Sequence, residues 1–214
     1  SFKGSVSLTD LQVTAITAGN MPAFLVTADI NTSTIYSYSG DYLNYSMVLK
    51  GKKETATTGD TIQSYTKFDV SVDQKMLYTY SFKGDTVLGS TVTTFDPLKV
   101  NTSTIYKYSG DNLAYSVVLK GMTNVATTTN NIQSFTKFDG SSEQKMDYTY
   151  SFRGERNLIA TQVAAITAGN LPVFTVAADI NTSTIYKYSG DYLDTSYVLK
   201  GKNEALPIGT ATVE

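Results

Sequence analysis

Apolar and polar residues alternate with a period of two through most of the chain, the spacing that lines one face of a β-strand. Met76, Tyr78, Tyr80 and Phe82 recur as Met146, Tyr148, Tyr150 and Phe152, whereas Leu77 gives way to Asp147. A position that accepts a charge in place of leucine faces water, so the four constant residues are expected to point into a core. Leu43, Tyr45, Met47 and Leu49 match Leu113, Tyr115, Val117 and Leu119 in the same way, each run following a Gly-Asp pair suited to a hairpin turn. Phe24, Val26, Ala28 and Ile30 return as Phe174, Val176, Ala178 and Ile180, with Leu25 replaced by Thr175, which reads as a further strand. No window carries a 3.6-residue pattern over three turns, so almost no helix is expected.

These patterns repeat. Ser-Phe-Lys-Gly at Ser1 and Ser81 and Ser-Phe-Arg-Gly at Ser151 head three copies, spanning 1–80, 81–150 and a truncated 151–214. Within them Asn-Thr-Ser-Thr-Ile-Tyr-x-Tyr-Ser-Gly-Asp begins at Asn31, Asn101 and Asn181, followed by Val-Leu-Lys-Gly at Val48, Val118 and Val198. Copies one and three share Ala-Ile-Thr-Ala-Gly-Asn from Ala15 and Ala165, where copy two has a shorter segment around Phe95. The difference reads as a hairpin or loop excursion between strands.

The expected fold is all-β, with tandem repeats of about 70–80 residues, each an antiparallel β-sandwich or barrel unit of six to seven short strands. The third repeat is incomplete. In an alternative framing, 31–100 and 101–180 are whole units, while 1–30 and 181–214 are the halves of a split one. A unit that lacks strands leaves open edges, which are templates for pairing.

Composition narrows the function. Charged residues make up 17% of the chain, below the roughly 25% usual in globular proteins, and Thr, Ser, Tyr, Asn and Gly fill the difference. The net charge is −2 with no basic run, so nucleic acid is not an expected partner. No apolar stretch is long enough for a membrane-spanning helix. With no cysteine and no histidine, thiol or Ser-His-Asp catalysis and Cys/His metal sites are excluded. The chain begins at Ser1 without a start methionine, as a mature chain does after loss of a leader, and an extracellular or cell-surface location is expected.

Asp41, Asp111 and Asp191 each follow a turn glycine, which turn chemistry explains without catalysis. Calcium is the one cofactor suggested by spacing: Asp29, Asn31 and Ser33, and likewise Asp179, Asn181 and Ser183, set oxygen groups at alternate positions. Copy two has Lys99 at the first of these places, and the glycine and distal glutamate of a calcium loop are missing. Asn31, Asn101, Asn181 and Asn44 head glycosylation sequons. Six tyrosines, at 36, 38, 106, 108, 186 and 188, share one strand face. Ser37, Lys107 and Lys187 between them mark the other face as wet, so the tyrosines are expected in the core.

No enzyme is read from these residues. They point instead to an extracellular structural glycoprotein whose partners are copies of itself, assembling into a filament, tube or layer by β-strand pairing through the incomplete unit. A multivalent, lectin-like binder of glycans is the alternative.

Overall fold

The computed structural model describes residues 30–206, together with the single position 17. Ten antiparallel strands form one open sheet in which spatial order follows chain order. They are β1 (Thr32–Ser39), β2 (Tyr42–Lys50), β3 (Ile62–Phe68), β4 (Met76–Phe82), β5 (Val100–Ser109), β6 (Asn112–Lys120), β7 (Asn131–Phe138), β8 (Met146–Asn157), β9 (Ile180–Ser189) and β10 (Tyr192–Lys200). The all-β expectation holds. The sandwich or barrel does not: every strand pairs with its neighbours in sequence, and no pairing closes the sheet or builds a second one among the described residues. Seventy residues yield four strands, not six or seven, because 51–61 and 83–99 are loops apart from an isolated Thr61–Val87 bridge and a short 3-10 turn.

Residues directly opposite each other in a ladder share a face. One row crosses the sheet as Ile35, Met47, Tyr65, Tyr80, Ser103 and Leu119. A second runs Ile105, Val117, Phe135, Tyr150, Ser183 and Leu199. Both rows lie on the inner face and hold most of the core, so the inward assignment of Tyr78, Tyr80, Tyr148 and Tyr150 is correct. Two excursions cover this face. Between β4 and β5, Leu88, Val92 and Phe95 fold under the first row, with the Phe95 ring 5.0 Å from both Tyr65 and Phe82. Between β8 and β9, Phe174 takes the corresponding place, 5.1 Å from Phe135 and 5.0 Å from Phe152.

The second excursion departs from the sequence reading. A helix, α1 (Ala160–Ala168), stands where a hairpin or loop was expected, and buries Gln162 and Ile166 one turn apart. Its start is tied by the Gln162 side chain, which accepts the Ile159 N–H at 3.1 Å, and its end by Tyr115, which donates to the Asn170 carbonyl at 2.8 Å. Nine residues with one apolar stripe are too short to show a helical period over three turns. The strand read through Phe174 to Ile180 is likewise irregular chain and a 3-10 turn, Ala177–Asp179, before β9 begins. Phe174 and Ile180 are buried because this segment crosses beneath the sheet, while Val176 is exposed. The matching run Phe24 to Ala28 lies outside the described residues.

The loop joining β2 to β3 carries a buried carboxylate. Asp60 accepts from Lys53, from the Thr57 N–H at 2.8 Å and from the Thr57 hydroxyl at 3.0 Å. Burial works to raise its pKa, but the Lys53 and Thr57 donors outweigh burial and hold the carboxyl below its ordinary 3.8. In the β6–β7 loop Asn130 performs the same task, accepting the Thr127 N–H at 2.7 Å.

Truncating Tyr80 or Phe174 to alanine should cost about 3–5 kcal/mol each, whereas Leu77→Asp, at an exposed bulge position, should stay within about 0.5 kcal/mol in urea denaturation. The Asp60 contribution is complete above the unfolded-state pKa and is lost as pH falls through the lower folded-state value. Asp60→Asn should therefore flatten that part of the acid limb in a melting-temperature profile. Asp60→Ala should also lower stability at neutral pH, by about 1–3 kcal/mol, since it strands the Thr57 N–H.

Candidate functional site

Three of the residues read as calcium candidates, Ser33, Ser183 and Asp179, have side-chain partners. Ser33 donates to the Gly51 carbonyl at 2.8 Å and accepts the Lys53 N–H at 2.9 Å. Ser183 does the same with Gly201, at 2.5 Å, and Asn203, at 2.8 Å. These hydroxyls lock the turn that follows β2 and β10, as Ser103 locks the turn after β6. Asp179 forms an ion pair with Arg156 at 3.1 Å. Asn31 and Asn181 are exposed, and their carbonyls accept from Gly51 and Gly201. Asp29 lies outside the described residues, among which no cluster of three or more acidic side chains has metal-site geometry. The Ser33 and Ser183 hydroxyls are thus committed to turns, and the Asp179 carboxylate to an ion pair.

Asn31, Asn101 and Asn181 are exposed, as a glycan acceptor must be, whereas Asn44 is half-buried with its side-chain oxygen bonded by Lys67. The sequon hydroxyls Ser103 and Ser183 are fully buried. Recognition of those two sequons as extended peptide therefore requires the unfolded chain.

The tyrosine rows are where the structure adds most. They lie on the open face, opposite Ile35, Ile105 and Ile185, and the expected core placement is wrong. Lys107 and Lys187 misled because they share the inner face with Ile105 and Ile185 but sit further along the strand, at the less buried end.

On the open face each tyrosine of β5 and β9 reaches over the preceding strand. Tyr106 shares a hydrogen bond with Thr79 at 3.3 Å, and Thr79 in turn shares one with Thr66 at 2.9 Å. Tyr108 accepts the backbone N–H of Met76 at 3.2 Å, continuing the β4–β5 ladder past its last paired residue. Lys75 sits 5.9 Å over the Tyr108 ring and bonds Asp111, in the following turn, at 3.0 Å. The same arrangement holds β8 to β9. Tyr186 meets Thr149 at 3.4 Å, Tyr188 accepts the Met146 N–H at 3.0 Å, and Lys145 bonds Asp191 at 2.9 Å. Bonding to Asp191 raises the Lys145 pKa above its ordinary value, and Asp73 followed by Asp111 does so for Lys75.

β1 presents the same groups, and no strand among the described residues precedes it. Tyr36 and Tyr38 are 57% and 60% exposed, Asp41 is exposed, and none has a partner among the described residues. At the opposite side of the sheet, β10 is exposed where its counterparts are buried: Leu193 is 52% exposed against 6% for Leu113. Sequence reasoning identified the tyrosines but not their partners, although Lys-Met-x-Tyr-Thr-Tyr ahead of the Tyr106 and Tyr186 rows was a visible signal.

Tyr188→Phe should cost about 1 kcal/mol, because it removes the acceptor of the Met146 N–H, whereas Tyr38→Phe should leave the urea midpoint unchanged. No family model, no curated protein and no solved structure matches the chain, and the functional reading therefore stands on geometry.

Proposed function

We propose that this chain is an extracellular or cell-surface structural protein whose copies join by β-strand pairing, extending the sheet from one chain into the next. The observation that carries the reading is that the ten described strands form one open sheet whose first and last members are β1 and β10. β1 contains no charge and no proline over eight residues, and places two tyrosines in solvent. β10 leaves Leu193 and Val198 exposed, the latter at 67%. Proteins that stay monomeric blunt such edges with lysine, proline, bulges or covering segments.

Glycan binding through the tyrosine face has less support. Four of the six tyrosines spend their hydroxyls or half their surface on a neighbouring strand, which leaves one exposed pair where avidity needs several equivalent sites.

Sedimentation velocity over a concentration series tests the proposal. Concentration-dependent linear growth is expected, and Tyr36→Lys with Tyr38→Lys should shift the population to monomer while leaving thermal stability nearly unchanged. A chain that remains monomeric at the highest soluble concentration would overturn the reading.

A further inference from the structure

We propose that the hollow between β5, the β6–β7 loop and the end of α1 binds a small apolar carboxylic acid, with Lys107 receiving the carboxylate. The site is independent of how copies join, and it uses a part of the chain that strand pairing leaves without a role.

That part is the motif Ala-Ile-Thr-Ala-Gly-Asn from Ala165, which the shorter excursion of copy two lacks. It forms the last turn of α1 and the left-handed cap at Gly169. Tyr115 holds this end against the sheet through the Asn170 carbonyl, and Ile166 packs into the core. Ile166 and Thr167 then make one wall of a hollow of about 200 Å³. Ile105 and Lys107 of β5 make the second wall, and Asn124, Val125 and Ala126 make the third.

Ile105, Ala126 and Ile166 are buried and form the floor, while Asn124, Val125 and Thr167 are exposed at the mouth. An apolar cavity of about 150 Å³ holds a benzene-sized body, so this hollow admits a short hydrocarbon chain or one ring together with a polar head. The polar groups around it all offer hydrogen: the Lys107 ammonium only donates, and the Asn124 amide and Thr167 hydroxyl can donate. No carboxylate lines the hollow. Lys120, Lys137 and Lys145 each pair with an acidic side chain. Lys107, half-buried and opposite Tyr115, has no such partner among the described residues. A cation without a counter-charge above an apolar floor selects an anion with an apolar body. The repeats supply the comparison. Lys187 holds the same place on β9, but Glu204 stands there for Asn124 and no described helix follows.

Equilibrium dialysis of the full chain against radiolabelled hexanoate tests the site, and reads equally well on monomer or assembly. One saturable site per chain is expected, with no competition from hexylamine, whose ammonium meets Lys107 as a like charge. Lys107→Ser should weaken hexanoate about tenfold or more, and Ser37 at the same place on β1 shows that the strand accepts serine. Thr167→Trp, from an exposed position on α1, should fill the mouth and abolish binding. Lys187→Ser should leave binding unchanged. Absence of saturable binding overturns the proposal. So does equal competition by hexylamine, which would make the hollow a purely apolar void. Parental affinity in Lys107→Ser or Thr167→Trp, or an equal loss in Lys187→Ser, places the acid elsewhere and overturns it too.

Discussion

A single sheet has two faces and must keep at least one of them from water. Everything distinctive about this molecule follows from how that is done. Two segments that are not strands, 83–99 and 158–179, cross beneath the inner face and each drives one phenylalanine among the tyrosines of β3 and β4 or the Phe–Tyr pair of β7 and β8. The aromatic rings of Tyr65, Tyr80 and Phe82 surround Phe95, and those of Phe135, Tyr150 and Phe152 surround Phe174, at centroid distances of 5.0–6.2 Å. Aromatic contacts of this kind add to simple burial, which lets a thin cover suffice. Because the cover is made of loop and helix, no second sheet is needed to shield this face among the described residues.

The open face solves a different problem. Where an inner face is packed by apolar rings, the open face is tied by hydroxyls: Thr66 to Thr79 to Tyr106, and Thr136 to Thr149 to Tyr186. These bonds run across the strands, alongside the backbone ladder, and each links the end of one four-strand set to the start of the next. Such side-chain ties are individually modest. Repeated at each junction with the Tyr–Met N–H bond and the Lys–Asp pair, they make the junction as specific as any hairpin.

Much of this was legible in the sequence. Alternation with period two gave the strands, and comparison of copies separated Tyr80 from Leu77 correctly, because substitution between copies reports exposure directly. Closure was not legible: local alternation says that a face is buried, but not whether a second sheet or a loop buries it. The helix Ala160–Ala168 escaped because its one apolar stripe is two turns long. The tyrosine rows were misplaced because a lysine between tyrosines looks like a wet face, whereas Lys107 lies on the covered face beyond the best-covered part. Burial varies along a strand as well as across it, and a pattern of period two carries only the second kind of information.

The order of strands in space is their order along the chain, and this has a kinetic meaning. Every described ladder joins strands consecutive in sequence, so none of these strands waits for a distant partner, and the search for contacts stays short even in a wide sheet. Each hairpin can settle against the one before it as synthesis proceeds, with the next excursion closing over the finished surface. Unfolding retraces the same line: tension on the two ends of such a meander is borne by the terminal ladders first, and the chain releases one strand at a time instead of failing all at once.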